Sequence, residues 1–135
     1  QQQISFAFQS PHLFPHLSLN DNLLVAADIT GSHQRLKDHR DRLAEHLGLS
    51  GRLHHTPDTL SGGERRRATL LRTLLSPAAI LLFDEPGAHL DASLKESVFK
   101  LLRQFSQEGK LVIFSSHASE HLDQADTLYH LEAEP

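Results

Sequence analysis

Two adjacent carboxylates, Asp84 and Glu85, follow the continuous apolar run at residues 80–83. Such a run is typical of a strand buried on both faces of a parallel sheet, and ligands of open α/β sheets bind where the strands end. One carboxylate could hold a hydrated Mg²⁺, and the other could take a proton from an attacking water. Because Pro86 comes next, an ordinary polar strand end before a turn explains these residues equally well.

A serine and two glycines begin the helix that the pattern predicts over residues 61–75. Ser61 and Glu64 have the spacing of a capping box. A cap does not need Gly62 and Gly63, each of which weakens a helix by roughly 1 kcal/mol relative to Ala. Two glycines let backbone amides approach a ligand closely, and a helix N-terminus attracts anions such as phosphate.

Two more polar residues follow predicted strands. His117 comes after the second buried run, at residues 111–114, and could donate to a phosphate or to an attacking water. Gln9 follows the alternating pattern at residues 4–8 and could contact a metal or water through its amide. Taken singly, His117 is one of 11 histidines and Gln9 is a polar loop residue, so neither is evidence by itself.

Two other polar groups have simple structural explanations. His117 and His121 are four residues apart, with Glu120 between them, which suggests metal binding. The zincin pattern, however, requires Glu directly after the first His, where this chain has Ala118. The run of three arginines at residues 65–67 is typical of a solvated helix face rather than of a nucleic-acid site.

Periodicity predicts the elements that must position these residues. Strands are expected at 4–8, 80–83, 111–114 and 127–131, and helices at 20–27, 33–47, 61–75, 92–107 and 117–124. The first helix would be capped by Asn20 or Asp21, and Gly31-Ser32 would end it. Alternation of strands and helices in the rear part predicts an α/β fold with parallel pairing by right-handed crossovers.

Composition excludes several classes of protein. The chain has 13 Lys plus Arg against 17 Asp plus Glu, a net charge of -4, which argues against nucleic acid as a partner. It has no Cys, so disulfides and thiol chemistry are excluded. It also has no Met, which predicts either that a longer chain was cut or that the recorded sequence starts late.

Taken in chain order, these residues resemble the ATP-binding cassette (ABC) ATPase family over nearly the whole chain. The matching segments are Phe8-Gln9 (Q-loop), Leu60-Ser61-Gly62-Gly63-Glu64 (signature motif), residues 80–85 (Walker B), Leu90-Asp91 (D-loop) and Ser115-Ser116-His117 (switch histidine). Arg67 and Arg72 match basic positions in the helix after the signature motif. Phe14-Pro15-His16-Leu17 is similar to the segment after the Q-loop in many solute-import subunits.

The resemblance implies a partial P-loop NTPase fold, in which a parallel-sheet core carries a helical signature subdomain. Residues 1–9 would form the Q-loop strand of the core, and residues 10–76 the helical subdomain. Residues 77–135 would form the α/β core with Walker B, the D-loop and the switch histidine.

The resemblance also implies catalytic roles. Asp84 would act through Mg²⁺, Glu85 would be the general base, and His117 would contact the γ-phosphate of ATP. Gln9 would contact the metal and the water and link them to the membrane partner.

A second set of roles is implied across a head-to-tail dimer with a second ABC ATPase subunit. Ser61, Gly62 and Gly63 would bind the γ-phosphate of ATP held by the opposite subunit, and Asp91 would contact that subunit. Closure of the dimer would drive the transmembrane permease between its access states.

One family motif is absent: the 135 residues contain no phosphate loop of the form Gly-x-x-x-x-Gly-Lys-Ser/Thr. In the family this loop lies upstream of the Q-loop, so the sequence resembles a C-terminal fragment. We expect little ATP affinity and no useful turnover from these residues alone. We also expect uncovered sheet edges and apolar surface, and a fragment that is poorly stable, oligomeric or dependent on its missing half.

The leading hypothesis is the ATP-binding and ATP-hydrolysing subunit of an ABC transporter, an importer, peripheral at the cytoplasmic face of the membrane. Two alternatives stay open. The first is a non-catalytic remnant that docks on a complete cassette. The second is a soluble ABC ATPase outside transport, although the long coiled-coil insertion of the DNA-repair type is absent between Gln9 and Leu60.

Overall fold

The computed structural model describes residues 4–27 and 33–131. Within these ranges the chain forms three strands and four α-helices, joined by loops and short 3₁₀ turns. They are β1 (Ile4–Ala7), α1 (Leu19–Ala26), α2 (His33–His46), α3 (Gly62–Leu74), β2 (Ile80–Asp84), α4 (Ala92–Gln107) and β3 (Leu111–Ser115). The predicted break at Gly31-Ser32 lies outside the described residues.

The three strands form a parallel sheet in the order β1-β2-β3. In the register, Ile4 lies beside Ile80, and Ile80 beside Leu111. The central strand β2 therefore pairs on both sides, and the carboxyl ends of all three strands lie at one edge. The prediction of an α/β fold with a parallel sheet is confirmed.

One face of the sheet packs against helices. Leu81 and Phe83 of β2 are buried on this face, where Phe114 of β3 meets Phe99 of α4 edge-on at 5.3 Å between ring centroids. Helix α4 spans the residues that its amphipathic pattern predicts, and its buried stripe is Val98, Phe99, Leu101, Leu102 and Phe105. Burial of this stripe fixes α4 against the sheet and so determines where the loops at the strand ends lie.

The opposite face of the sheet is apolar and exposed. Ile4 is 52% exposed, Phe6 38%, Leu111 54% and Ile113 50%, and all four share this face because side chains alternate along a strand. The expectation of uncovered apolar surface is confirmed for this part of the chain.

The helical front part is held by polar side chains as well as by leucines. The cap of α1 is Ser18, whose hydroxyl accepts the Asp21 N–H at 3.1 Å, so the prediction of Asn20 or Asp21 as the cap is wrong. Asn20 instead accepts a hydrogen bond from Arg40 of α2. Among the described helices, none combines the length and the apolar character that crossing a bilayer requires.

Asn22 of α1 is fully buried and fixes the loop that precedes the helix. Its Oδ1 accepts the Phe14 N–H at 2.6 Å. Its Nδ2 donates to the carbonyls of Phe14, Leu17 and Ser18 at 3.0–3.2 Å. One side chain therefore contacts three backbone groups of the segment that resembles an importer motif, and the carbonyl of the helix cap Ser18.

The predicted strand at 127–131 is wrong, since residues 125–131 have no regular structure. Tyr129 is 83% exposed and Leu131 96%. A strand needs a neighbouring strand for its backbone hydrogen bonds, and none of the described strands pairs with this segment. The predicted helix at 117–124 is a 3₁₀ helix over Ser119–Gln124.

We expect Asn22→Ala to lower the free energy of unfolding by about 1–3 kcal/mol, because buried backbone groups of the loop lose their partner. Urea denaturation followed by circular dichroism measures the change. The matched control is Val25→Ala on the same helix, at a side chain that is 61% exposed. It should change the free energy of unfolding by no more than about 0.5 kcal/mol. Equal losses for the two variants would contradict the role given to Asn22.

Candidate functional site

The carboxyl ends of β2 and β3 bring Asp84, Glu85, Ser115 and His117 together. Asp84 and Ser115 are partners in the register of the two strands. The Ser115 hydroxyl donates to Asp84 Oδ1 at 2.6 Å and accepts the Glu85 N–H at 3.0 Å. The Asp84 carboxylate is therefore oriented by a side chain of the neighbouring strand.

Glu85 has a left-handed backbone, with φ of 51°. This region is uncommon for a residue other than glycine and costs of order 1 kcal/mol or more. Its carboxylate turns towards the segment that follows β3, where Oε1 accepts the His117 N–H at 2.9 Å and lies 3.3 Å from His117 Nε2. The Glu85 side chain is 14% exposed and that of His117 97%, so a sheltered carboxylate lies beside an accessible imidazole.

The turn after Glu85 leads directly into α4. Ala88 N–H donates to the Glu85 carbonyl at 3.1 Å, and Leu90 N–H to the Gly87 carbonyl at 3.4 Å. Asp91 then caps α4 by accepting the Leu94 N–H at 2.9 Å. Asp91 therefore has a role within this chain, as well as the contact with a partner that the sequence predicts for it.

Gly87 is required by close packing in this turn. A Cβ at this position would lie 2.9 Å from Phe99 Cε2 and 3.4 Å from His121 Nε2. The rings of Phe99 and His121 are stacked, with centroids 4.3 Å apart. His121 thus supports the turn, a role that sequence reasoning missed because nothing in the spacing relates it to Gly87. Across residues 4–27 and 33–131, no three His, Cys, Asp or Glu side chains form a metal-binding group.

Gln9 lies two residues beyond the end of β1. Since Ala7 pairs with Phe83 in a parallel register, Gln9 lies at the same edge of the sheet as Glu85. Its side chain is exposed. The structure therefore places Gln9 just beyond the strand that neighbours β2, at the same edge of the sheet as the two acids, and its contact with metal or water stays a prediction.

The signature segment forms a complete capping box at the start of α3. Ser61 Oγ accepts the Glu64 N–H at 3.1 Å, and Glu64 Oε2 accepts the Ser61 N–H at 2.8 Å. The amides of Gly62 and Gly63 head the helix, where backbone donors have no intrahelical acceptor. A Cβ on Gly62 would meet none of the described residues within 4 Å, so their packing does not require glycine there.

Arginines surround this turn. Arg52 Nε donates to Glu64 Oε1 at 2.7 Å, and Arg65 Nη1 donates to the Leu60 carbonyl at 2.9 Å. Arg67 Nη1 would lie 3.5 Å from a Cβ on Gly63, and the buried Nε of Arg67 has no hydrogen-bond partner within the part of the chain that the structure describes. The contacts described for the turn are with its own segment and not with the strand ends, so the predicted site residues form two separate groups.

Comparison with known proteins decides the family. The sequence model of the ABC transporter family matches residues 1–88, which is more than half of the chain. The chain belongs to the ABC transporter family. The resemblance stated from the motifs is confirmed, and the fold is part of the P-loop NTPase fold of ABC cassettes.

Relatives of this ABC family chain come from several kinds of transport system. It is 41% identical to the macrolide export ATP-binding/permease protein MacB of Chromobacterium violaceum, over 83% of this chain and 18% of MacB. It is 34% identical to the lipoprotein-releasing system ATP-binding protein LolD of Acinetobacter baylyi, over 97% of this chain and 59% of LolD. The chain is also 34% identical to the putative hemin import ATP-binding protein HrtA of Staphylococcus haemolyticus, over 96% of this chain and 59% of HrtA.

Solved ABC cassettes share the fold. A dimeric cassette in a post-hydrolysis state, bound to ADP and Pi, superposes with a TM-score of 0.78 and 25% identity, over 93% of this chain and 56% of that one. An ATP-binding subunit of an ABC transporter superposes with a TM-score of 0.82 over 92% of this chain. The chain thus spans little more than half of these cassettes.

The surroundings of two ionisable groups of α3 lower their pKa values. The hydrogen bond from Arg52, followed by that from the Ser61 amide, lowers the pKa of Glu64 to about 2. Burial lowers the pKa of Arg72, whose guanidinium donates to the carbonyl of His12 and ties α3 to the loop after Gln9.

The low pKa of Glu64 predicts a stability difference that depends on pH. Its ordinary pKa is 4.5, so its stabilising effect is complete above pH 4.5 and is lost as the pH falls through about 2. We expect the melting temperatures of the native chain and Glu64→Gln to differ most above pH 4.5 and to converge towards pH 2. Thermal melts by circular dichroism at several pH values measure this. The control is Glu96→Gln at an exposed position of α4, and a gap for Glu64→Gln that stays constant with pH would refute the assignment.

Proposed function

We propose that this chain is the ATP-hydrolysing part of an ABC transporter subunit, with Asp84, Glu85 and His117 as its catalytic group. The observation that carries the proposal is the convergence of these residues at the carboxyl edge of β2 and β3. Family membership gives the type of nucleotide, and the hydrogen bonds at the strand ends give each acid a distinct environment.

The donor set fits Mg²⁺, which prefers carboxylate oxygens and retains several waters. Asp84 uses Oδ1 for Ser115, and its second oxygen would hold the ion. When bound, Mg²⁺-ATP supplies the γ-phosphate that water attacks. Gln9, at the neighbouring strand end, would contact the ion or the water through its amide.

Glu85 would accept the proton of the attacking water. Its carboxylate is sheltered and is fixed at Oε1 by the His117 amide, so it is held in place before the reaction. The exposed imidazole of His117 would donate to the γ-phosphate. The backbone that follows β3 therefore sets the position of the Glu85 carboxylate, and the accessible His117 side chain would contact the substrate.

The signature turn would act on ATP held by a second cassette. The amides of Gly62 and Gly63 head α3, where the helix dipole favours an anion. Among the described residues, the buried Nε of Arg67 has no hydrogen-bond partner, and no neighbouring atom requires the glycine at position 62. These observations support a close approach by a phosphate from outside the chain, in a head-to-tail dimer in which Asp91 contacts the partner.

The phosphate loop must come from residues outside this sequence, since the 135 residues contain none. We further propose that the assembly includes transmembrane permease subunits and lies at the cytoplasmic face of the membrane. The relatives MacB and LolD are named for such systems, as an ATP-binding/permease protein and as the ATP-binding protein of a releasing system. The relatives are named for export, release and import, so the direction of import stays a prediction. The domain boundaries at residues 9 and 76 and the absence of nucleic acid as a partner also stay predictions.

The test uses a cassette in which the phosphate-loop segment of an ABC ATPase is joined upstream of Gln1, called the joined cassette. We expect Glu85→Gln to lower kcat for ATP hydrolysis by about 10²- to 10⁴-fold, because the general base is lost, while nucleotide binding is retained. Phosphate release and equilibrium binding of a fluorescent ATP analogue measure the two quantities.

Glu96→Gln, on the exposed surface of α4, is the matched control and should leave both quantities unchanged. If the joined cassette folds and binds ATP but hydrolyses it equally well with Glu85→Gln, the role of Glu85 is wrong. If it binds ATP without hydrolysing it, and the chain co-purifies with a complete cassette, the non-catalytic remnant is the better description.

A further inference from the structure

We propose that Ser115 is a positioning residue that holds the metal-binding carboxylate and the general base in place together. The inference rests on the proposed function and deepens it. The resemblance assigns a role to His117 of the Ser115-Ser116-His117 segment and none to the first serine.

The geometry uses both hydrogen-bonding capacities of the Ser115 hydroxyl. Its proton goes to Asp84 Oδ1 at 2.6 Å, and its oxygen accepts the Glu85 N–H at 3.0 Å. A hydroxyl has one proton to donate, so this pair of contacts fixes its rotation. The bond to Asp84 is short, as expected when the acceptor is a carboxylate.

The hydroxyl also acts on the backbone of Glu85. The left-handed φ of 51° is costly and persists only where surrounding contacts hold it. β3 and the residues that follow it supply two such contacts. Ser115 Oγ accepts the Glu85 N–H, and the His117 N–H donates to Glu85 Oε1. Glu85 is thus held at both its backbone and its carboxylate by residues on either side of Ser116.

The consequence for the chemistry is a fixed relation between two acids of different function. Without the hydroxyl, the Asp84 carboxylate could rotate and the Glu85 amide would turn to water. Both changes would affect the transition state more than the binding of ATP, because neither Ser115 contact is with the proposed nucleotide. Ser115 is exposed, so Ala at this position should not disturb the core.

Ser116 provides a matched control one residue away. Its hydroxyl accepts the Ala118 N–H at 3.1 Å and donates to the Ala118 carbonyl at 3.3 Å, both local contacts. Ser116→Ala therefore removes a hydroxyl from the same segment without changing a contact to either acid. Ser115→Thr keeps the hydroxyl and is the conservative variant.

The first experiment needs no nucleotide. Amide hydrogen exchange of Glu85 is measured by NMR on the full 135-residue chain, together with its Cα and Cβ chemical shifts, which report the backbone conformation. We expect Ser115→Ala to speed exchange at Glu85 by about 3- to 10-fold, since one hydrogen bond to the amide is lost. Ser115→Thr and Ser116→Ala should behave like the native chain. Equal exchange in Ser115→Ala and the native chain would overturn the proposal.

The second experiment separates kcat from KM in the joined cassette. We expect Ser115→Ala to lower kcat by about 10-fold or more with KM for ATP unchanged, because a hydrogen bond to a charged group is lost. Ser115→Thr and Ser116→Ala should each keep the kcat of the unsubstituted joined cassette. A normal kcat for Ser115→Ala would overturn the positioning role. So would a kcat for Ser115→Thr that is as low as that for Ser115→Ala. If instead Glu85→Gln leaves hydrolysis intact while Ser115→Ala alters exchange at Glu85, the proposed function fails and the structural contact stands.

Discussion

The parallel pairing of β2 with β3 is the constraint on which the candidate site depends. Its register sets Asp84 beside Ser115 and brings the amide of His117 to the carboxylate of Glu85. The pairing is stabilised on the face that packs against α4, where Leu81, Phe83 and the apolar stripe of α4 exclude water. A slip by one residue would turn Asp84 away from Ser115 and move every apolar side chain of β2 to the other face.

The helical part shares one hydrophobic core with the sheet, and polar contacts also tie it to the loop after Gln9. Arg72 of α3 binds the carbonyl of His12, and Asn22 of α1 binds the loop from Phe14 to Ser18. The loop after Gln9 is thus tied to the helix that begins at the signature turn. A displacement of either part would move the other, which fits a protein whose proposed work is to couple ATP hydrolysis to a membrane partner.

The sheet has one exposed apolar face, and the sequence lacks the phosphate loop of the family. Four large apolar side chains, on β1 and β3, remain accessible on a sheet whose other face is well packed. The segment predicted as a strand at 127–131 is irregular because no described strand offers it a backbone partner. This chain covers 59% of LolD and 56% of the dimeric cassette. The proposed ATP hydrolysis is therefore an activity of a longer cassette that includes a phosphate loop.

The sequence by itself determined the family, the parallel α/β pattern and the position of Asp84 and Glu85 at the end of a buried strand, because each of these can be recognised from short segments of the chain. Apolar runs indicate buried strands, and the order and spacing of short motifs can be read directly from the sequence. It also placed α3 and α4 to within a residue or two, from the capping box at Ser61 for α3 and from the amphipathic pattern for α4.

Only the tertiary structure decided how these residues act on one another. The bridge from Ser115 to Asp84 and Glu85, the support of Gly87 by His121, and the left-handed backbone of Glu85 all join residues that are distant in sequence or depend on neighbouring strands. The same reason explains the failed strand at 127–131, whose pattern is local but whose hydrogen bonds are not. Contacts between distant residues follow from packing and register, which a periodicity along one chain does not contain.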